Sequence, residues 1–91
     1  MSSETSDRQQ VTQWWQHVAN RYAGVVWSAI RGTGLPEHAA VDVNRLTWMR
    51  FADHVDEVEP NRIESWLCQT ALRECRRSAR LLGLAPDPDT G

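Results

Sequence analysis

The chain has no lysine: all ten of its basic residues are arginine. Long apolar runs are missing as well, which excludes a membrane-spanning helix and a signal-peptide core. The expectation is a cytoplasmic protein with no membrane contact. Cysteine is scarce. Cys68 and Cys75 stand seven apart in one expected helix, where two turns separate them by roughly 10 Å. That is beyond disulfide reach, so both should be free, buried or half-buried thiols. The three histidines, His17, His38 and His54, fall in separate segments without metal-ligand spacing. No metal and no other cofactor is implied.

Catalytic patterns are equally thin. No glycine-rich loop follows a strand, and neither cysteine has a base placed by a motif. Ser28, Ser65 and Ser78 have no His–Asp partners that sequence can establish, and no carboxylate pair demands general acid–base work. The reading is a protein that is not an enzyme and has no small-molecule substrate.

What is present suits one small domain. The chain has 91 residues, 41% of them hydrophobic and 24% charged, the balance of ordinary globular material. Its net charge of −2 hides an uneven distribution. Arg73, Arg76, Arg77 and Arg80 form a cluster interrupted by one acid, Glu74, whereas Asp53, Asp56, Glu57 and Glu59 crowd an earlier stretch. Such polarity bears on partners and not on fold.

Apolar residues at Val11, Trp14, Trp15, Val18, Tyr22, Val25, Val26, Ala29 and Ile30 recur in steps of three and four. They predict an amphipathic first helix, preceded by a flexible N-terminus over residues 1–8. "GTGLP" (32–36) stops it, with glycine for the C-cap and Pro36 for the next first turn. A second helix is expected from about Pro36 to His54. Its inward face holds Ala40, Val43, Thr47, Trp48, Phe51 and Val55; Asp42, Leu46, Met49 and Asp53 face out, with Arg45 beside them. Leu46 and Met49 are adjacent on that acidic face and suggest a small partner-facing patch, although scattered exposed apolar residues are also normal.

"DEVEPN" (56–61) breaks the pattern at Pro60, and Asn61 with Glu64 resembles a capping box opening a third helix. Ile63, Trp66, Leu67, Thr70, Ala71 and Leu81 share its inner side. Arg62, Arg73, Arg76, Arg77 and Arg80 share another side, with Trp66 on the seam. The helical body should span residues 9–82, followed over 83–91 by a flexible, acidic, proline-containing tail. The fold class is all-α: three helices and no sheet.

The arginines at 73, 76, 77 and 80 lie on one strip about 10 Å long. At those spacings like charges repel by a few tenths of a kcal/mol per pair. Phosphates along a nucleic-acid backbone would turn that repulsion into salt-dependent attraction. Relief by Glu74, by acids of the second helix or by the helix dipole is the plainer alternative. Trp66 likewise suits either a core position, beside inward Ile63, Leu67 and Thr70, or a stacking surface for a base.

Three ordered stretches carry a likeness. "RYAGVVWSAIR" (21–31), "AVDVNRLTWMRF" (40–51) and "SWLCQTALRECRR" (65–77) together resemble region 2 of bacterial sigma factors. The nearest kind is the extracytoplasmic-function (ECF) group of the sigma-70 family, in its actinobacterial style. The second stretch looks like the family's A-E-D-V-x-Q-x-x-W/F-L-R pattern and the third like W-L-x-x-x-A-R-x-x-x-R-R. The likeness covers roughly residues 14–80. It implies a three-helix, sigma region 2-like bundle that docks on the clamp helices of the RNA polymerase β′ subunit and recognises the non-template strand of the promoter −10 element. Carried over by position, Asp42, Arg45, Leu46 and Met49 would be polymerase-binding. Asn61, Arg62, Glu64, Trp66, Arg73, Arg76, Arg77 and Arg80 would be DNA-binding, with the loop over 56–64 receiving a flipped base.

This sequence departs from the pattern at Val41, where an acid is usual, and at Arg45, where glutamine is usual. No second domain for the −35 element follows in these residues. Val41, Arg45 and Leu46 motivate an alternative: a degenerate sigma-like module that binds polymerase or an anti-sigma factor without reading a promoter. A helical DNA-binding domain outside transcription initiation is a third reading.

Overall fold

A computed structural model describes residues 2–84, with side chains from residue 10 onward. It is all-α among the described residues, with three helices and no strand: α1 (Ser2–Arg31), α2 (Glu37–His54) and α3 (Ile63–Leu81). Helix α1 begins at Ser2, ahead of the domain start expected at residue 9, and no glycine or proline interrupts it before Gly24. Beyond Leu84 the expected tail lies outside the described residues.

The turn after α1 follows from its glycines. Gly32 N–H donates to the Ser28 carbonyl at 2.9 Å, and Gly34 takes φ +80°, which lets the chain reverse without a Cβ clash. Leu35 is buried beneath this turn, and Pro36 stands at the α2 N-cap with Glu37 in the first turn. Helix α3 ends in a Schellman pair: Leu84 N–H reaches the Ala79 carbonyl (2.8 Å), Gly83 N–H reaches that of Arg80 (3.1 Å), and Gly83 has φ +70°.

Between α2 and α3 lie two 3-10 turns, Val55–Glu57 and Pro60–Arg62. The second corrects the expected capping box. Pro60 fixes the start of a tight turn in which Arg62 N–H donates to the Glu59 carbonyl at 2.8 Å. Asn61 is thereby held inside the turn. The N-cap position passes to Arg62, which makes no side-chain capping bond.

The core is built from Val18, Val26 and Ile30 of α1, Leu35, Ala39, Ala40, Val43 and Phe51 from the α2 side, and Ile63, Leu67, Ala71 and Cys75 of α3. At one end Phe51 is fully buried and ringed by tryptophans. Trp15 and Trp48 meet it edge-on at 5.4 and 6.1 Å, Trp66 lies tilted at 5.6 Å, and Trp14 stacks at 6.4 Å. Because the late α2 residue Phe51 touches the earlier parts of both α1 and α3, α2 runs antiparallel to its two neighbours. Thr47 is also fully buried, its hydroxyl satisfied by the Val43 carbonyl at 2.8 Å.

Several apolar positions are not core. Leu81 is 78% exposed, because the last fully buried residue of α3 is Cys75 and the helix outruns the bundle by more than a turn. On α1, Val11, Trp14 and Val25 are exposed, at the margins of a stripe broader than the surface its partners cover. Conversely, Glu74, which sequence groups with the arginines, is buried.

Candidate nucleic-acid interface

Arg73, Arg76, Arg77 and Arg80 are all exposed on α3. Among the described residues, ion pairs join Arg45 to Asp42, Arg50 to Glu74 and Arg62 to Glu59, and none engages the four strip arginines. The one acid within the cluster, Glu74, points inward. Its Oε1 stands 2.9 Å from Arg50 Nε of α2 in an ion pair, with 8% of the Glu74 side chain exposed. The buried carboxylate is thus spent on α2, and the strip keeps its charge.

Trp66 is half-buried, with one part of the indole against Phe51 and another forming the wall of a cleft of about 290 Å³. Arg50 and His54 of α2 and Trp66, Gln69, Thr70 and Arg73 of α3 line this cleft. The His54 ring tilts against Trp66 at 5.9 Å. Its Nδ1 lies 2.9 Å from the Arg50 carbonyl. A carbonyl only accepts, so Nδ1 carries the hydrogen and Nε2 is left for a ligand. The arrangement offers an aromatic wall, two guanidiniums, an amide and a hydroxyl. Those groups can stack a flat ring and hydrogen-bond an anion.

Of the residues singled out for DNA, Trp66 and Arg73 meet in the cleft. Arg76, Arg77 and Arg80 continue from it along α3 without lining it. Asn61, Arg62 and Glu64 are exposed on the turn and first turn of α3 and do not line it either; Arg62 reaches Glu59 at 4.0 Å. Arg50, His54, Gln69 and Thr70 are additions that the sequence reading missed. Its available signal was Glu74: seven residues after Leu67, it stands two turns along the inward face, and a buried acid needs a cation from elsewhere.

On α2, Asp42, Arg45, Leu46 and Met49 are exposed together, Leu46 at 40% and Met49 at 57%. Arg45 Nη2 lies 3.4 Å from Asp42 Oδ1, one turn apart on an open surface. Leu46, Arg50 and His54 follow at intervals of four, so one ridge of α2 runs from this patch into the cleft.

The cysteines contribute no reactive group. Burial pushes the Cys75 thiol above its ordinary pKa; the Glu74 charge adds to the shift and the Thr33 hydroxyl offsets part of it. Burial and then the Glu64 charge raise Cys68 as well. Both therefore stay protonated at neutral pH. No group of three or more His, Cys, Asp or Glu residues that could hold a metal occurs among the described residues. Nor is any helix there long and apolar enough to cross a membrane. No protein-family model, curated protein or solved structure matches the chain.

Proposed function

We propose that this chain is a sigma-factor region 2 domain of the extracytoplasmic-function kind, a non-enzymatic cytoplasmic module of transcription initiation. In this reading α2 presents Asp42, Arg45, Leu46 and Met49 to the β′ clamp helices of RNA polymerase. Helix α3 and the turn before it present Asn61, Arg62, Glu64, Trp66, Arg73, Arg76, Arg77 and Arg80 to the non-template strand of the −10 element. The observation that carries it is the run of four exposed arginines on α3, without carboxylate partners among the described residues and beside a half-exposed tryptophan. A melted strand needs a cationic track and a surface on which unstacked bases rest, and α3 supplies both. The resemblance of the three ordered motifs supplies the partner on α2.

The second reading is a sigma-like module that binds polymerase or an anti-sigma factor without promoter recognition. The Arg45–Asp42 pair favours it, because the acid at the clamp-facing position is partly neutralised from within its own helix. Exposed Val41, beside that acid, replaces a further charge.

Two binding assays on the same protein separate the readings: capture by isolated β′ clamp helices, and a gel shift with a single-stranded −10 oligonucleotide pool. The sigma reading predicts both, with Leu46→Asp abolishing capture and sparing the shift. Capture without a shift supports the interaction module. Duplex binding without capture supports a DNA-binding domain outside initiation.

A further inference from the structure

The pair Arg50–Glu74, a half-exposed arginine on a buried carboxylate, borders the cleft, and neither residue belongs to the strip. Glu74 engages Arg50 through Nε at 2.9 Å, while Arg50 lines the cleft with 44% of its side chain exposed. A guanidinium drawn to a carboxylate on its Nε side still has its Nη end available, and the ion pair limits where that end can lie. Arg73 approaches the same space from α3, and His54 and Trp66 close the remaining side. Two arginines and one carboxylate leave a single positive charge there when His54 is neutral, matched to the single negative charge of a phosphodiester. At about 290 Å³ the cleft is at the small end of ligand-sized sites, with room for one such unit.

We infer that Glu74 is a positioning residue: it holds Arg50 so that Arg50 and Arg73 together grip one phosphodiester of a single strand whose base rests against Trp66 and His54. The inference rests on the nucleic-acid reading of α3 and extends the interface onto α2. Simple Coulomb attraction says that removing a carboxylate near a polyanion strengthens binding. Positioning says that the same change weakens it, because Arg50 is released from its bound geometry and must be ordered again by the ligand.

The test is fluorescence anisotropy of a labelled decathymidylate over a range of salt concentrations. Glu74→Gln should weaken binding by about tenfold, because Arg50 loses the buried charge that anchors it. Arg50→Ala should weaken it similarly and flatten the dependence of log K on log salt by about 0.7, one single-strand phosphate contact. Glu74→Gln should add nothing in the Arg50→Ala background, since it acts through that residue. Arg50→Lys should fail to restore binding, because an ammonium has no fork.

Tighter or unchanged binding by Glu74→Gln, or an additive double variant, overturns the inference. If Glu74→Gln or Arg50→Ala does not fold, Arg50→Lys decides, since it keeps a cation beside Glu74, and binding as tight as the original's overturns the inference. Equal competition by polyglutamate overturns the assignment to a nucleotide strand. If the unaltered protein ignores the oligonucleotide, the DNA reading fails with the inference. If it binds through Arg76 and Arg77 but is indifferent to Arg50, only the inference fails.

Discussion

Phe51 shows what one residue can decide. It is the chain's only phenylalanine, fully buried, with four of the five tryptophans within 6.4 Å. Trp66 belongs at once to this cluster and to the cleft, so the packing of Phe51 sets the angle of the wall on which a base would rest. Phe51→Ala should cost about 3–5 kcal/mol through lost burial and the cavity left behind. In a small domain that removes much of the folding free energy. Phe51→Leu keeps much of the volume and should cost less. Chemical denaturation followed by tryptophan fluorescence checks both, and a Phe51→Ala protein as stable as the original would contradict the packing account. Among polar residues the contrast is sharper. Buried Thr47 is satisfied by its own helix, Glu74 is ion-paired with a neighbouring helix, and the buried Oδ1 of Asn44 finds no hydrogen-bond partner among the described residues.

At the scale of the element, α3 was the most legible in sequence and also the source of two misassignments. Its arginine strip follows from spacing alone, because residues at i, i+3, i+4 and i+7 share a helix face whatever the tertiary structure. Assigning Leu81 to the core fails for a tertiary reason: face arithmetic continues past the point where neighbouring helices stop, and nothing local marks that point. Asn61 fails as a cap because Pro60 imposes a 3-10 turn that displaces the helix start. The α2 outer patch was legible for the same reason as the strip. Four of the six cleft residues were not, since tertiary packing alone brings Arg50 and His54 of α2 to α3, as in the Arg50–Glu74 pair of residues 24 positions apart in sequence. The prediction that belongs to α3 as an element concerns the strip. Arg76→Ala with Arg77→Ala should weaken single-strand binding and reduce the salt slope by about 1.4, two single-strand contacts at roughly 0.7 each. Folding should be unaffected, because both side chains are exposed. An unchanged slope in a salt titration would place the DNA elsewhere.

For the whole molecule, the antiparallel packing of α2 and α3 brings the two candidate surfaces into contact. Leu46, Arg50 and His54 form one ridge of α2. The α2 patch proposed to face a polypeptide therefore ends where the cleft proposed to face a nucleotide begins. A domain arranged in this way would hold a polypeptide and an opened strand side by side, with Arg50 at their border. The all-α architecture and its three helices could be read from glycine and proline positions with apolar periodicity. The partner assignments rest on motif resemblance.

That joint arrangement is tested most directly by transcription in vitro. The full chain, fused to a domain that reads the −35 element, would be mixed with core RNA polymerase and a template library randomised across the −10 element. The account predicts discrete start sites from a subset of templates, lost on Leu46→Asp and on Arg76→Ala with Arg77→Ala. Absence of specific initiation from every template, with the fused protein folded and the core enzyme active, would contradict it.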